Sequence, residues 1–164
     1  REMFLDCRER ISVTGFTDIQ RAAMFYVLVK TGFGASLRTF GCNKKRLNTD
    51  NFADIEARLD GVVIENKDFE DLIKVYDREK ALFYCDPPYH KTERHYTVKF
   101  TEDDHERLCR VLHQIKGRFV LSYNDDKYVR DLYKDYNIQA VTRNNSLSSG
   151  DFKEVIITNF EYFF

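Results

Sequence analysis

Apolar positions recur at helical spacing early in the chain, where Ala22, Ala23, Phe25, Tyr26, Leu28 and Val29 follow the capping-box pattern Thr17-Asp18-Ile19-Gln20. A helix is predicted over 17–30, stopped by Gly32. Gly32, Gly34 and Gly41 then break the pattern, and Asn43-Lys44-Lys45-Arg46-Leu47-Asn48 reads as an exposed basic loop. Further helices are expected over 52–59 and from an Asp68 cap through Val75, with Val62-Val63-Ile64 as a buried strand between them. The apolar run 81–85 is short enough for a strand covered on both faces. Thr101 and Asp104 cap another helix, whose Leu108, Val111, Leu112 and Ile115 share one face until Gly117 ends it. A strand over 119–123, a helix over 128–133, a strand over 138–142, a polar loop through Ser148-Ser149-Gly150 and a strand over 155–160 complete the pattern.

Strands alternating with helices imply an α/β sheet, mostly parallel. The last two strands lie too close in sequence for a helical crossover, so an antiparallel hairpin is expected at the C-terminal edge. At 164 residues, with 14 Phe and 10 Tyr, the chain has apolar surface enough for one core. The 26 basic and 27 acidic residues nearly cancel, so contact with a polyanion must come from local clustering and not from an overall positive field. Cys7, Cys42, Cys85 and Cys109 show no CxxC spacing, which argues against structural zinc and against a disulfide scaffold and suits a reducing cytoplasm. No run approaches the roughly 18 apolar residues of a membrane span, and residues 1–10 lack a signal-peptide apolar stretch.

The candidate chemistry sits at the end of the strand over 81–85, where open α/β sheets place their ligand crevices. There the chain reads Asp86-Pro87-Pro88-Tyr89. Each proline fixes φ and removes an N–H, so the segment is a rigid bend that presents carbonyl oxygens beside a carboxylate without neighbouring backbone donors. Such acceptors suit an amino group, and the Tyr89 ring can stack on a planar heterocycle at about 1–3 kcal/mol per base. Two acceptors holding the hydrogens of a conjugated NH₂ would draw its nitrogen out of conjugation and aim the lone pair at an electrophilic carbon. Pro-Pro alone would mark only a stiffened turn; the flanking acid and aromatic ring, at a strand terminus, mark a site.

This segment resembles motif IV of amino-methyltransferases, and its setting is similar to the Dam-type, or D12 class, DNA adenine-N6 methyltransferases. The resemblance extends over nearly the whole chain, through Gly32-Phe33 and Arg38, Val63-Ile64-Glu65-Asn66-Lys67-Asp68-Phe69, Phe100 with Asp104-His105-Glu106-Arg107-Leu108, Leu121-Ser122-Tyr123-Asn124, and Glu154-Val155-Ile156-Ile157-Thr158-Asn159. It implies a partial Rossmann-like methyltransferase sheet, S-adenosylmethionine as methyl donor and double-stranded DNA as partner. Asp86 and Pro87 would orient the target amino group, with Pro88 stiffening the bend and Tyr89 stacking on the flipped base. Asp68 and Phe69 would hold the donor beside Asp86. Flipping is a physical necessity, because an adenine inside a duplex cannot bring its amino nitrogen in line with a donor buried in a protein pocket.

For DNA, the resemblance implies that Phe33 inserts beside the extruded base and that Arg38 reads a base edge. Lys44, Lys45, Arg46, Lys91, Arg94 and Arg143 become candidate phosphate contacts. Each has a plainer reading: Asp68 as a helix cap, Phe33 and Phe69 as packing, and the basic residues as a solvated surface. His90 and His95 form a poor metal pair without further ligands, so no metal is expected. Residues 1–50 are expected to form an abbreviated recognition region and 51–164 a catalytic subdomain, acting as a monomer. The family's amino-terminal Phe-x-Gly-Gly loop has no counterpart here, so the chain is expected to begin after the first cofactor motif. Two rival readings stand beside this one. The same motif could serve RNA or a protein amide, or the chain could be a DNA- or partner-binding remnant without catalysis.

Overall fold

The computed structural model describes residues 1–33, 37–41, 47, 51–92, 99–144 and 151–161, and these fall into two compact units, Arg1–Ile64 and Glu65–Phe164. The first unit holds α1 (Glu2–Arg10), α2 (Asp18–Thr31) and α3 (Phe52–Leu59). Phe4 and Cys7 of α1 pack against Met24 and Leu28 of α2, with Leu37 and Phe40 closing over them. The capping box expected at the start of α2 is present, Thr17 N–H donating to the Gln20 side chain at 2.9 Å and Gln20 N–H to the Thr17 hydroxyl at 3.3 Å. After α2 the chain doubles back: Gly32 bridges Phe40, Phe33 N–H donates to Thr39 O, and Gly41 N–H donates to Thr31 O, the last two at 2.8 Å. A Cβ at Gly41 would lie 3.1 Å from the Phe33 nitrogen, so the loop closes this tightly because a glycine stands there.

The second unit runs α4 (Phe69–Tyr76), β1 (Leu82–Cys85), α5 (Glu102–Gln114), β2 (Arg118–Asn124), α6 (Lys127–Leu132), β3 (Asn137–Asn144) and β4 (Asp151–Thr158). Among the described residues four strands form an open sheet in the order β1-β2-β4-β3. Only β1 and β2 are parallel; β2 with β4 and β4 with β3 are antiparallel. The closing hairpin expected from sequence is therefore present, but the expectation of a mostly parallel sheet is overturned. The cause is where the hairpin inserts: β4 returns between β2 and β3, which gives two antiparallel ladders for one parallel crossover.

Two strand expectations also change. Residues 62–64 are not a strand; Val63 and Ile64 are 72% and 78% exposed. A β conformation needs a ladder partner for its backbone groups, and the described residues offer this segment none. The run 81–85 does form β1, but Leu82 and Tyr84 are 63% and 68% exposed while Phe83 and Cys85 are half-buried, as on an edge strand covered on one face.

The core lies on one face of the sheet, where Phe119, Leu121 and Tyr123 of β2 and Val155 and Ile157 of β4 meet Leu108, Val111 and Leu112 of α5 and Val129 and Tyr133 near α6. Alternation along a strand sends Ser122, Asn124 and Glu154 to the opposite face. A clasp ties the start of β2 to its neighbours: the Asp77 carboxylate accepts from Lys116 N–H and Gly117 N–H, and the Asn159 side chain bonds Phe119 N–H and Gly117 O. A Cβ at Gly117 would meet the Ala81 carbonyl at 2.8 Å, so the crossing there depends on glycine.

Candidate active site

Parallel pairing with β2 carries β1 to Cys85, opposite Leu121, and the next residue, Asp86, leaves the sheet beside Ser122. The buried Ser122 hydroxyl donates to Asp86 Oδ1 at 2.9 Å. Asp86 Oδ2 and the Pro87 carbonyl take no donor among the described residues, so two acceptors remain for a ligand at this strand end. Tyr89 then turns its hydroxyl toward β4 and donates to Glu154 Oε1 at 3.0 Å, while its ring lies 6.1 Å from that of Tyr123.

Residues 90–92 lock the loop. Thr92 donates from both its N–H (2.9 Å) and its hydroxyl (2.8 Å) to the Tyr89 carbonyl. Lys91 adopts a left-handed φ of 66°, its Nζ 3.8 Å from Asp126. The buried His90 ring stacks on Tyr128 at 4.3 Å and approaches Asp126 Oδ2 with Nδ1 at 2.6 Å, and Asn124 donates to the His90 carbonyl. His90 thus anchors the loop through Asp126, the residue that caps α6. Among the described residues no group of three or more His, Cys, Asp or Glu could hold a metal.

Beside Asp86 lies an apolar cavity of about 280 Å³, lined by Phe69, Leu72, Ile73, Phe83, Phe100 and Leu108 and reaching Tyr84, Cys85, Asp86 and Pro87. Phe69 thus shares a pocket with Asp86 and Pro87. Asp68 caps α4 through Glu70 N–H and also takes a bidentate bond from Arg107 at 2.7 and 2.9 Å. The Arg107 guanidinium holds the Asp68 carboxyl below its usual range and lies 4.1 Å over the Phe69 ring. Arg107 reaches Glu70 and Asp104 as well, joining the starts of α4 and α5 at the pocket.

The DNA-contact candidates divide. Phe33 and Arg38 lie in the first unit, Phe33 exposed on the closed loop and Arg38 with its carbonyl held by Arg8 at 2.9 Å. Lys91 is exposed on the locked loop of the second unit. Arg143 is described only by its backbone place in β3, opposite Phe152, and Lys44, Lys45, Arg46 and Arg94 lie outside the described residues. Sequence reasoning gave no role to Ser122, Glu154 or Asp126. An acid at the head of the apolar run Glu154-Val155-Ile156-Ile157 was the available signal for the second.

Burial raises the Cys85 thiol from its ordinary 9.0 to about 11. Burial, reinforced by the bond to Glu154, raises Tyr89 from 10.0 to about 12. Both groups bind their protons more tightly in the folded state than in the unfolded one, so their stabilisation is intact below pH about 9 and is lost as pH climbs to about 12. Thermal unfolding midpoints measured from pH 8 to 12 should fall across that window, and Cys85→Ala should flatten the lower part of the decline.

The strand end thus brings together two open acceptors, an aromatic ring and an adjoining apolar pocket. The model of the D12 class N6 adenine-specific DNA methyltransferase family matches residues 1–147, and the chain belongs to that family. No curated protein matches it. The chain is therefore a DNA adenine methyltransferase by family, and adenine N6 is the acceptor of its methyl group. Among the described residues no helix is long and apolar enough to cross a membrane.

Proposed function

We propose that this chain carries the target-base half of an S-adenosylmethionine-dependent, site-specific DNA adenine methyltransferase, completed by an amino-terminal segment that supplies most of the donor site. The observation that carries the reading is the fixed Asp86 carboxylate beside the open Pro87 carbonyl, on the rim of the Phe69 pocket. Asp86 Oδ2 and Pro87 O accept the two N6 hydrogens of a flipped adenine, and Tyr89 stacks on its ring. Held this way, the nitrogen presents its lone pair without prior deprotonation.

The donor, when bound, supplies an electrophilic methyl carbon on a sulfonium leaving group. The residues present fit part of it. A cavity of about 280 Å³ with apolar walls suits an aromatic ring, and Asp68 Oδ2, bonded once to Arg107, keeps acceptor capacity for a hydroxyl. Small-molecule sites commonly span about 300–1,000 Å³, so this cavity accommodates the adenine end more readily than the whole donor. The exposed face of β1, with Leu82 and Tyr84, is open to a further layer supplied from elsewhere. On the DNA side, Phe33 inserts beside the extruded base and Arg38 reads a base edge. Lys44, Lys45, Arg46, Lys91, Arg94 and Arg143 meet phosphates in a salt-sensitive manner.

The test supplies labelled S-adenosylmethionine to the complete enzyme with duplex DNA, RNA or protein, and quantifies N6-methyladenine by mass spectrometry. Label in adenine of duplex DNA is expected. Label in RNA or in protein amide, or none at all, would replace this reading with one of its rivals. Calorimetry on the isolated 164-residue chain should show donor affinity weaker than micromolar, and micromolar binding would refute the division of the site.

A further inference from the structure

We infer that Glu154 and Ser122 are positioning residues for methyl transfer, Glu154 holding the Tyr89 ring against the target base and Ser122 holding the Asp86 carboxylate. The inference rests on the roles proposed above for Asp86 and Tyr89. Ser122 lies on β2 and Glu154 on β4, two residues apart along the same antiparallel ladder: Ser122 stands opposite Ile156, and Asn124 opposite Glu154. Both side chains are buried, 4% and 7% exposed, on the face away from the main core.

A carboxylate on a central strand loses much of its hydration, and an apolar residue of similar volume would serve stability at least as well. What Glu154 provides that an apolar residue cannot is an acceptor for the Tyr89 hydroxyl, at 3.0 Å and 65 residues away in sequence. Rotation about the ring axis leaves that hydroxyl in place, but any tilt or swing of the ring moves it. The bond therefore fixes where the ring axis lies, and with it the position of the stacking face. Ser122 tethers the acid: its hydroxyl donates to Asp86 Oδ1 at 2.9 Å and leaves Oδ2 as the open acceptor.

The two halves of the base clamp are thus referenced to neighbouring strands. Their spacing is set by the β2–β4 ladder, and the loop that carries Asp86 and Tyr89 contributes little slack. A clamp built this way keeps the amino nitrogen and the stacked ring in register, where an error near 1 Å can cost about a hundredfold in rate.

In the complete enzyme, Glu154→Ala should lower kcat roughly 10- to 100-fold while the donor KM stays within about twofold. Glu154→Gln, which keeps an acceptor, should restore most of the rate. The decisive comparison is a double-mutant cycle: because Glu154 acts through the Tyr89 hydroxyl, Glu154→Ala should cost little further in a Tyr89→Phe background. Additive losses would make Glu154 a structural residue only and overturn the proposal.

If Glu154→Ala fails to fold, the contact is read in Glu154→Gln by the ¹³Cζ resonance of Tyr89 at pH 7, assigned by its disappearance in Tyr89→Phe. A shift on replacing the carboxylate is expected, and an unmoved resonance overturns the proposal. This measurement needs no turnover. A shift in Glu154→Gln beside a wild-type enzyme that methylates nothing would refute the assigned reaction and leave the contact standing.

Discussion

Asp86→Ala in the complete enzyme is expected to abolish methyl transfer while duplex DNA binding changes little. In the proposed mechanism the carboxylate supplies one of two acceptors that hold the amino hydrogens, and positive charge builds on that nitrogen as the new N–C bond forms. Removing a single preorganised group that stabilises charge in a transition state typically costs about 10²–10³-fold in kcat. Here the loss should reach or exceed the upper end, since the truncation also removes the acceptor to which the buried Ser122 hydroxyl donates at 2.9 Å. In the proposed binding mode DNA affinity rests mainly on phosphate contacts by basic side chains, a set that does not include Asp86. Initial rates of N6-methyladenine formation, set beside anisotropy titrations with labelled duplex, check both halves. Near-normal turnover would sink the mechanism.

The largest effect on stability is expected at the centre of the sheet. Phe119 is 0% exposed, pairs with Phe83 of β1 and packs its ring edge-on against Tyr136 at 5.1 Å. Phe119→Ala removes that ring from a closed core and should cost about 3–5 kcal/mol. A domain holds only about 5–15 kcal/mol in total, so the variant should be partly unfolded at physiological temperature. Leu82→Ala, on the exposed side of the edge strand, should stay within about 0.5 kcal/mol of wild type. Urea midpoints of the two variants measure the contrast directly, and similar losses for both would contradict the one-sided burial of β1.

Local patterns carried the elements they physically determine. The caps at Thr17, Asp68 and Thr101 and the apolar stripe of α5 are decided within a few residues, and these helices appear where the spacing puts them. The acceptor-rich bend was legible for the same reason, since prolines restrict the backbone whatever surrounds them. Helix α1 was not, because three of the four apolar residues in Glu2–Arg10 run together as Met3-Phe4-Leu5 and show no helical period, and its buried side is only Phe4 and Cys7. Residues 62–64 misled in the opposite direction, an apolar run without a strand beside it. Strand direction was misjudged because the order β1-β2-β4-β3 depends on which strands meet, a long-range choice that no local period encodes. Glu154 was missed on the same ground: its partner Tyr89 stands on a loop far back in the chain.

Cys85 is the residue immediately before Asp86, and it borders the cavity proposed for part of the donor. A thiolate is a far stronger nucleophile than an aromatic amine, so a dissociated sulfur there would compete with adenine for the methyl group. With its ionisation pushed up to about 11, only about one such thiol in ten thousand is charged at pH 7. On the proposed placement of the donor, burial of β1 on its inner side protects chemical selectivity as well as the fold: the sulfur bordering the cavity stays protonated, and the donor's methyl group is left for the base.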